Sequence, residues 1–213
     1  FGLRLITDTP FAFIELSSSF VYILFNTKIL EVHIVNVLKS FMLRLALLID
    51  RISILVGSTA AMLVLPLGLI MTYEALARFT FNLPTFWAYE LSYMLTGAHF
   101  ALGIALVTRN NGHIRIDFLY SKMPTRVQQI LDLSILLFFI APLIIWVSLG
   151  LIEYAWTAFK VGETSGESGW NPLIWPVRLS IALGFVVFSI QLISEIIKTG
   201  SAVFSIDTKS FNG

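Results

Sequence analysis

Two clusters of polar residues bracket one apolar stretch of this chain. Arg78, Asn82, Trp87 and Glu90 precede it; Arg109, Asn110, Asn111, Gly112, His113, Arg115 and Asp117 follow it. Between them, Leu91 to Thr108 carries no formal charge. Its length is near the minimum for crossing ~30 Å of hydrocarbon. The chemistry open to such ends is holding rather than bond-making. Glu90 at the start of a span either complements the helix dipole or pairs with a basic group on a partner, whereas an exposed pair with Arg78 would add little. At the far end, Arg109 followed by Gly112 suits a helix terminus, a cation and then the residue that stops the helix. There His113, Arg115 and Asp117 are placed to hold partner helices or lipid head groups. Both clusters are equally readable as well-made helix ends with no further role.

Other chemistry finds little to work with. The chain has no cysteine, so thiolate catalysis and thiolate metal sites are excluded. His33, His99 and His113 share no metal-ligand spacing, and there is no HExxH, phosphate-cradling glycine loop or GxSxG turn. A membrane haem carrier needs histidines on facing helices. Only His99 falls within a span, so the redox alternative rests on one residue, and a neutral His99 bonded to a neighbouring helix is preferred. A net charge of +1 without a basic run points away from nucleic acid. A transporter working alone needs ionisable or unwound features at mid-membrane depth, and the spans hold almost none. No enzymatic activity, metal or cofactor is expected in this chain, and a scaffolding role in something larger is.

The elements that position these residues follow from composition. Of 213 residues 57% are hydrophobic and 13% charged, against about 25% charged in a soluble domain, and the mean hydropathy is +0.85. The expected fold is an all-α membrane protein with four transmembrane helices, about 52–73, 91–108, 133–152 and 176–197. Pro66 and Pro142 are expected to kink the first and third. Ser53, Gly57 and Ala61 on the first span, and Gly97, Ala101 and Ala105 on the second, form small-residue faces that let helices approach closely. Residues 160–176 break the pattern with Gly, Ser, Glu and Pro and form a loop, with Trp170 and Trp175 in an interfacial aromatic belt. Ahead of the four-helix domain (42–198), residues 1–41 make an extension with no cleavable signal. Leu16 to Phe25 is too short to span, and polar residues from Lys28 to Arg44 recur at helical spacing, so an amphipathic helix lying at the interface is expected. Met42 would itself make a sensible start, which leaves 1–41 equally readable as an extension without function. A polar tail, 199–213, ends the chain.

Orientation follows from basic residues. Arg4, Lys28, Lys39, Arg44, Arg51, Arg109, Arg115, Lys122, Arg126, Lys198 and Lys209 fall on one side, against Arg78, Lys160 and Arg178 on the other. Both termini are therefore expected to be cytoplasmic.

In order and spacing, Arg78-Phe79-x-Phe81-Asn82, Trp87-x-x-Glu90-Leu91, Arg109-x-x-Gly112-His113-Ile114-Arg115-Ile116-Asp117 and Pro124-x-Arg126 resemble the small membrane (DctQ-type) subunit of TRAP transporters, the tripartite ATP-independent periplasmic systems. The resemblance runs from about Met42 to Lys198. Gly162-Glu163-Thr164-Ser165 with Trp175-Pro176 is similar to a subgroup labelled for mannitol or chloroaromatic compounds, a label that says little about substrate. The resemblance implies a four-helix subunit in the bacterial inner membrane, paired with a large multi-span permease that carries the substrate and sodium sites. A soluble periplasmic protein delivers the substrate, usually an organic acid. It also implies that Glu163, Glu167 and Trp170 belong to a docking surface for that binding protein, against the plainer reading of a solvated loop. The small subunit of another tripartite carboxylate system is the remaining alternative.

Overall fold

The computed structural model describes residues 9–110 and 123–210, with side chains from 33 to 110 and from 123 to 203. Among the described residues there are six α-helices: α1 (Thr9–Met62), α2 (Val64–Phe81), α3 (Phe86–Arg109), α4 (Thr125–Ile135), α5 (Ala141–Val161) and α6 (Trp175–Ser210). Among the described residues four stretches are long and apolar enough to cross a membrane: His33–Phe81, Phe86–Arg109, Thr125–Val161 and Trp175–Val203. This is a multi-pass, all-α membrane protein. The chain divides into two compact units, Phe1–Arg44 and Leu45–Gly213. In the first, residues 9–44 are helical, and Ile34, Val35, Val37, Leu38 and Phe41 are exposed where the sequence predicts an interfacial helix. The second unit holds the helix packing and both polar ends.

The four predicted windows are shorter than the observed membrane-crossing stretches, because backbone hydrogen bonding does not stop at the first charged side chain. Both prolines disturb their helices, by different means. Proline has no N–H and its ring crowds the carbonyl four residues back. Before Pro66 the helix breaks at Leu63, whose N–H takes the Ala60 carbonyl at 3.0 Å, and regular winding resumes with Leu67 N–H to Leu63 O at 3.2 Å. Before Pro142 there is no break. Leu136–Ile140 widens into π-helical winding, with Ala141 N–H reaching the Leu136 carbonyl five residues back. That shifts the carbonyl register and absorbs the proline within a continuous α4–α5 rod.

Packing centres on α6, against which α3 and α5 both lie, while α2 packs on α3. Ala105, Ala141, Phe188 and Leu192 form the core cluster. Lipid removes most of the hydrophobic drive for helices to associate, so close approach of small residues and interhelical hydrogen bonds must serve instead. Both are present. A Cβ added at Gly184 would lie 2.3 Å from the backbone oxygen of Ala101, so α3 and α6 touch backbone to backbone. A Cβ at Gly57 would lie 2.5 Å from that of Leu106. Between α5 and α6, the Ser148 hydroxyl lies 2.8 Å from that of Ser189 and 3.1 Å from the Phe185 carbonyl.

The small-residue faces differ in detail from those predicted. The buried line on the first span is Ser53, Gly57 and Ala60, with Ala61 exposed; on α3 it is Ala98, Ala101 and Ala105, with Gly97 half-buried. At 3.6 residues per turn, spacings i, i+4, i+7 and i, i+3, i+7 stay on one line better than i, i+4, i+8. The α3–α6 contact gives a direct test. Gly184→Ala should cost ~1–3 kcal/mol in a reversible unfolding titration of the purified protein. Gly150→Ala, where an added methyl meets nothing within 4 Å, should be neutral or slightly stabilising. Equal stability of Gly184→Ala and the parent would refute the backbone contact.

Candidate functional site

Polar side chains gather at the two ends of the second unit. One end carries the 82–85 turn and the 162–174 loop. The other carries Asp50, Arg109 and Lys198.

At the loop end the predicted cluster of Arg78, Asn82, Trp87 and Glu90 is two constellations. In the first, Arg78 donates to Glu74 Oε1 from Nε at 3.0 Å and from Nη2 at 2.5 Å. Glu74 Oε2 accepts from the Thr85 N–H at 3.0 Å and from its hydroxyl. Asn82 takes the left-handed conformation that ends α2 (φ 50°), and Leu83 N–H closes on the Ala77 carbonyl at 3.1 Å. Tyr73 stacks on Trp87 with ring centroids 5.8 Å apart. Together these contacts fix the α2–α3 hairpin.

Glu90 belongs to the second constellation. It lies past the first turn of α3, so it caps nothing, and it is 2% exposed. Its carboxylate accepts hydrogen bonds from the Ser165 hydroxyl and, at 2.6 Å, from Ser168. Neither the helix-cap role nor a pair with Arg78 is what this geometry holds. Glu90 is the anchor for a loop some seventy residues away, so local spacing could not reveal its partners. The loop is shaped to meet it. Gly162 (φ 63°) ends α5, and Glu163 N–H returns to the Ala158 carbonyl at 3.0 Å. Ser165 N–H donates to Pro172 O at 2.9 Å and Ile174 N–H to Glu163 O at 3.1 Å. Gly166 N–H donates to Asn171 Oδ1 at 2.7 Å.

Of the acidic residues predicted to face a docking partner, Glu163 is committed within the chain. Arg178 holds both its oxygens, Nη2 donating to Oε1 at 2.7 Å, and the guanidinium lies 3.6 Å from the Tyr154 ring centroid. Glu167 and Trp170 are exposed at the loop surface. Gly166, Glu167, Ser168 and Gly169 line an open depression together with Arg78 and Tyr89.

At the other end stands a network that sequence reasoning missed. Asp50 Oδ1 accepts from Gln191 Nε2 (2.9 Å), Ser194 Oγ (2.9 Å) and Lys198 Nζ (2.8 Å). Asp50 Oδ2 faces Arg109 Nε at 3.8 Å. Gln191 also accepts from the Ser53 hydroxyl at 2.6 Å and donates to Glu195 at 2.9 Å, which Lys198 also meets at 2.9 Å. Two carboxylates face two cations, so the cluster is neutral as a unit, the condition under which buried charge is tolerated. The sequence signal was available: Gln191, Ser194, Glu195 and Lys198 stand at i, i+3, i+4 and i+7 on one face of α6. Of the predicted inner cluster Arg109 takes part, and Gly112, His113, Arg115 and Asp117 lie outside the described residues. His99 is engaged too. Its Nδ1 lies 2.9 Å from the Ala60 carbonyl, and since a carbonyl only accepts, the proton is on Nδ1. His99 thus stitches α3 to the turn that Pro66 disrupts.

This is an arrangement for holding helices and loops in fixed relation. Comparison with known proteins places the chain in a family. A family model described as Tripartite ATP-independent periplasmic transporters, DctQ component, matches residues 67–199. The chain belongs to this family. It is a DctQ-type TRAP transporter component. The match starts at residue 67, later than the Met42 suggested by resemblance; Asp50 and Ser53 precede it, while Glu90, the 162–174 loop and the polar face of α6 fall within it. A 134-residue stretch, 62% of this chain, is 26% identical to the sialic acid TRAP transporter permease protein SiaT of Haemophilus influenzae (strain 86-028NP). The chain spans 21% of that protein's length.

Two measurements check the geometry. Glu90→Ala should make opening of the 162–174 loop easier by ~2 kcal/mol, read as faster limited proteolysis there, while Arg78→Ala, which releases Glu74 instead, should leave that rate near the parent's. At the other end, a double-mutant cycle of Asp50→Ala with Ser194→Ala should show a coupling of ~0.5–3 kcal/mol, whereas Asp50→Ala with Ser148→Ala should be additive.

Proposed function

We propose that this DctQ-family chain is a non-catalytic scaffold subunit of a TRAP transporter, bracing a large permease subunit that carries the substrate and its sodium sites. The observation that carries the reading is the tight, internally satisfied packing of the second unit among the described residues. Its central helix pair meets backbone to backbone at Gly184 and Ala101, and its buried carboxylates are consumed by partners within the chain. Large apolar side chains are turned outward instead, Leu65, Leu69 and Phe79 on α2 and Trp146 and Leu149 on α5 among them. Helices so arranged offer a solute no route but offer a larger neighbour extensive surface.

The transported class we propose is organic acids, delivered by a periplasmic binding protein; the relative named for sialic acid, itself a carboxylate, supports this. The membrane is the bacterial inner membrane with both termini cytoplasmic, supported by eleven basic residues on the terminal side against three on the other. The 162–174 loop then faces the periplasm, with Glu167 and Trp170 exposed toward the binding protein.

The experiment is reconstitution into proteoliposomes with an inward sodium gradient, using sialic acid as the first probe. Uptake is expected only when this chain, its large permease and the binding protein are all present. Uptake by this chain alone would end the scaffold reading. Full uptake by the permease and binding protein without it would end the bracing role.

A further inference from the structure

We infer that the groove between α5 and α6 binds one phospholipid, its acyl chain lying along the groove and its phosphate meeting Lys160. The groove encloses about 420 Å³ and is lined by apolar side chains throughout. Ala155 and Ala182 form its floor, and Trp156, Phe159, Trp175 and Leu183 its walls. The rim is braced: Trp156 stacks on Phe159 at 5.7 Å, and Phe159 meets Trp175 edge-on at 5.4 Å.

Depth decides between a lipid and a partner helix. On α5 the lining runs from Ile152 to Phe159, a rise of ~10 Å, and on α6 from Trp175 to Val186, ~16 Å. The hydrocarbon core is ~30 Å thick. The groove therefore begins at the tryptophan-rich rim beside the 162–174 loop and ends near mid-membrane, the reach of one leaflet. An acyl chain needs that length, whereas a crossing helix would need a trough through both leaflets.

Charge at the mouth supplies the second argument. Lys160 follows the last lining residue of α5, and its ammonium stands 5.2 Å from the Trp156 ring centroid. It is exposed and has no acidic partner among the described residues, since Arg178 takes Glu163. A cation over an aromatic rim at interfacial depth is placed to receive a phosphate.

The test uses the full chain, purified and stripped of lipid, titrated with dioleoyl phosphatidylglycerol and read by native mass spectrometry. One lipid is expected to bind ahead of all others. Leu183→Trp, which narrows the groove from an exposed wall, and Lys160→Glu, which repels the phosphate, should each weaken that first binding about tenfold. Leu69→Trp, on an exposed face of α2, should leave it unchanged. Absence of a preferred first lipid, or equal binding by Leu183→Trp and the parent, would overturn the site. So would cross-links from this groove to a helix of the large permease in the assembled transporter, which would make the occupant a protein.

Discussion

In a bilayer two apolar helices gain little by leaving lipid for each other, so the contact between α3 and α6 must be made at short range to hold at all. At Gly184 the backbones come so close that a single methyl group would have to occupy the space of the Ala101 carbonyl. That approach sets the distance between the two helices, and α6 then presents its other face to α5, where Ser148 and Ser189 share hydrogen bonds. The rest of the unit is referred to this central pair.

Polar contacts complete what packing begins, and they gather at the two ends of the unit. At one end Glu90 gathers two serine hydroxyls from the 162–174 loop, tying the loop after α5 to the start of α3. At the other, Asp50 collects Gln191, Ser194 and Lys198 from α6 and faces Arg109 at the end of α3. Each carboxylate joins elements distant in sequence, and each is satisfied within the chain. Clamped at both ends along a tight central seam, the unit holds its helices and its long loop in fixed relation.

Much of this was legible beforehand. Runs of Leu, Ile, Val and Phe without charge announce spans regardless of what surrounds them, because exclusion from water acts on each residue separately. Pro66 and Pro142 announced disturbed winding, and Gly57 and Ala101 announced close approach. The choice of contact partners was not legible. Nothing local to Glu90 distinguishes Arg78 as its companion from Ser165 or Ser168, and nothing near Asp50 points to Gln191. Nothing near Glu163 in the sequence points to Arg178, fifteen residues on, as the cation that holds it.

The sequence by itself determined the solvent, the four crossings and, through the order of its end motifs, the family, because hydropathy and short motifs are properties of neighbouring residues. Tertiary structure alone decided which carboxylates are buried, which cations neutralise them and which helices touch. Those outcomes depend on angles and separations between elements far apart in the chain, and a side chain's partner is fixed only once the helices have taken their places.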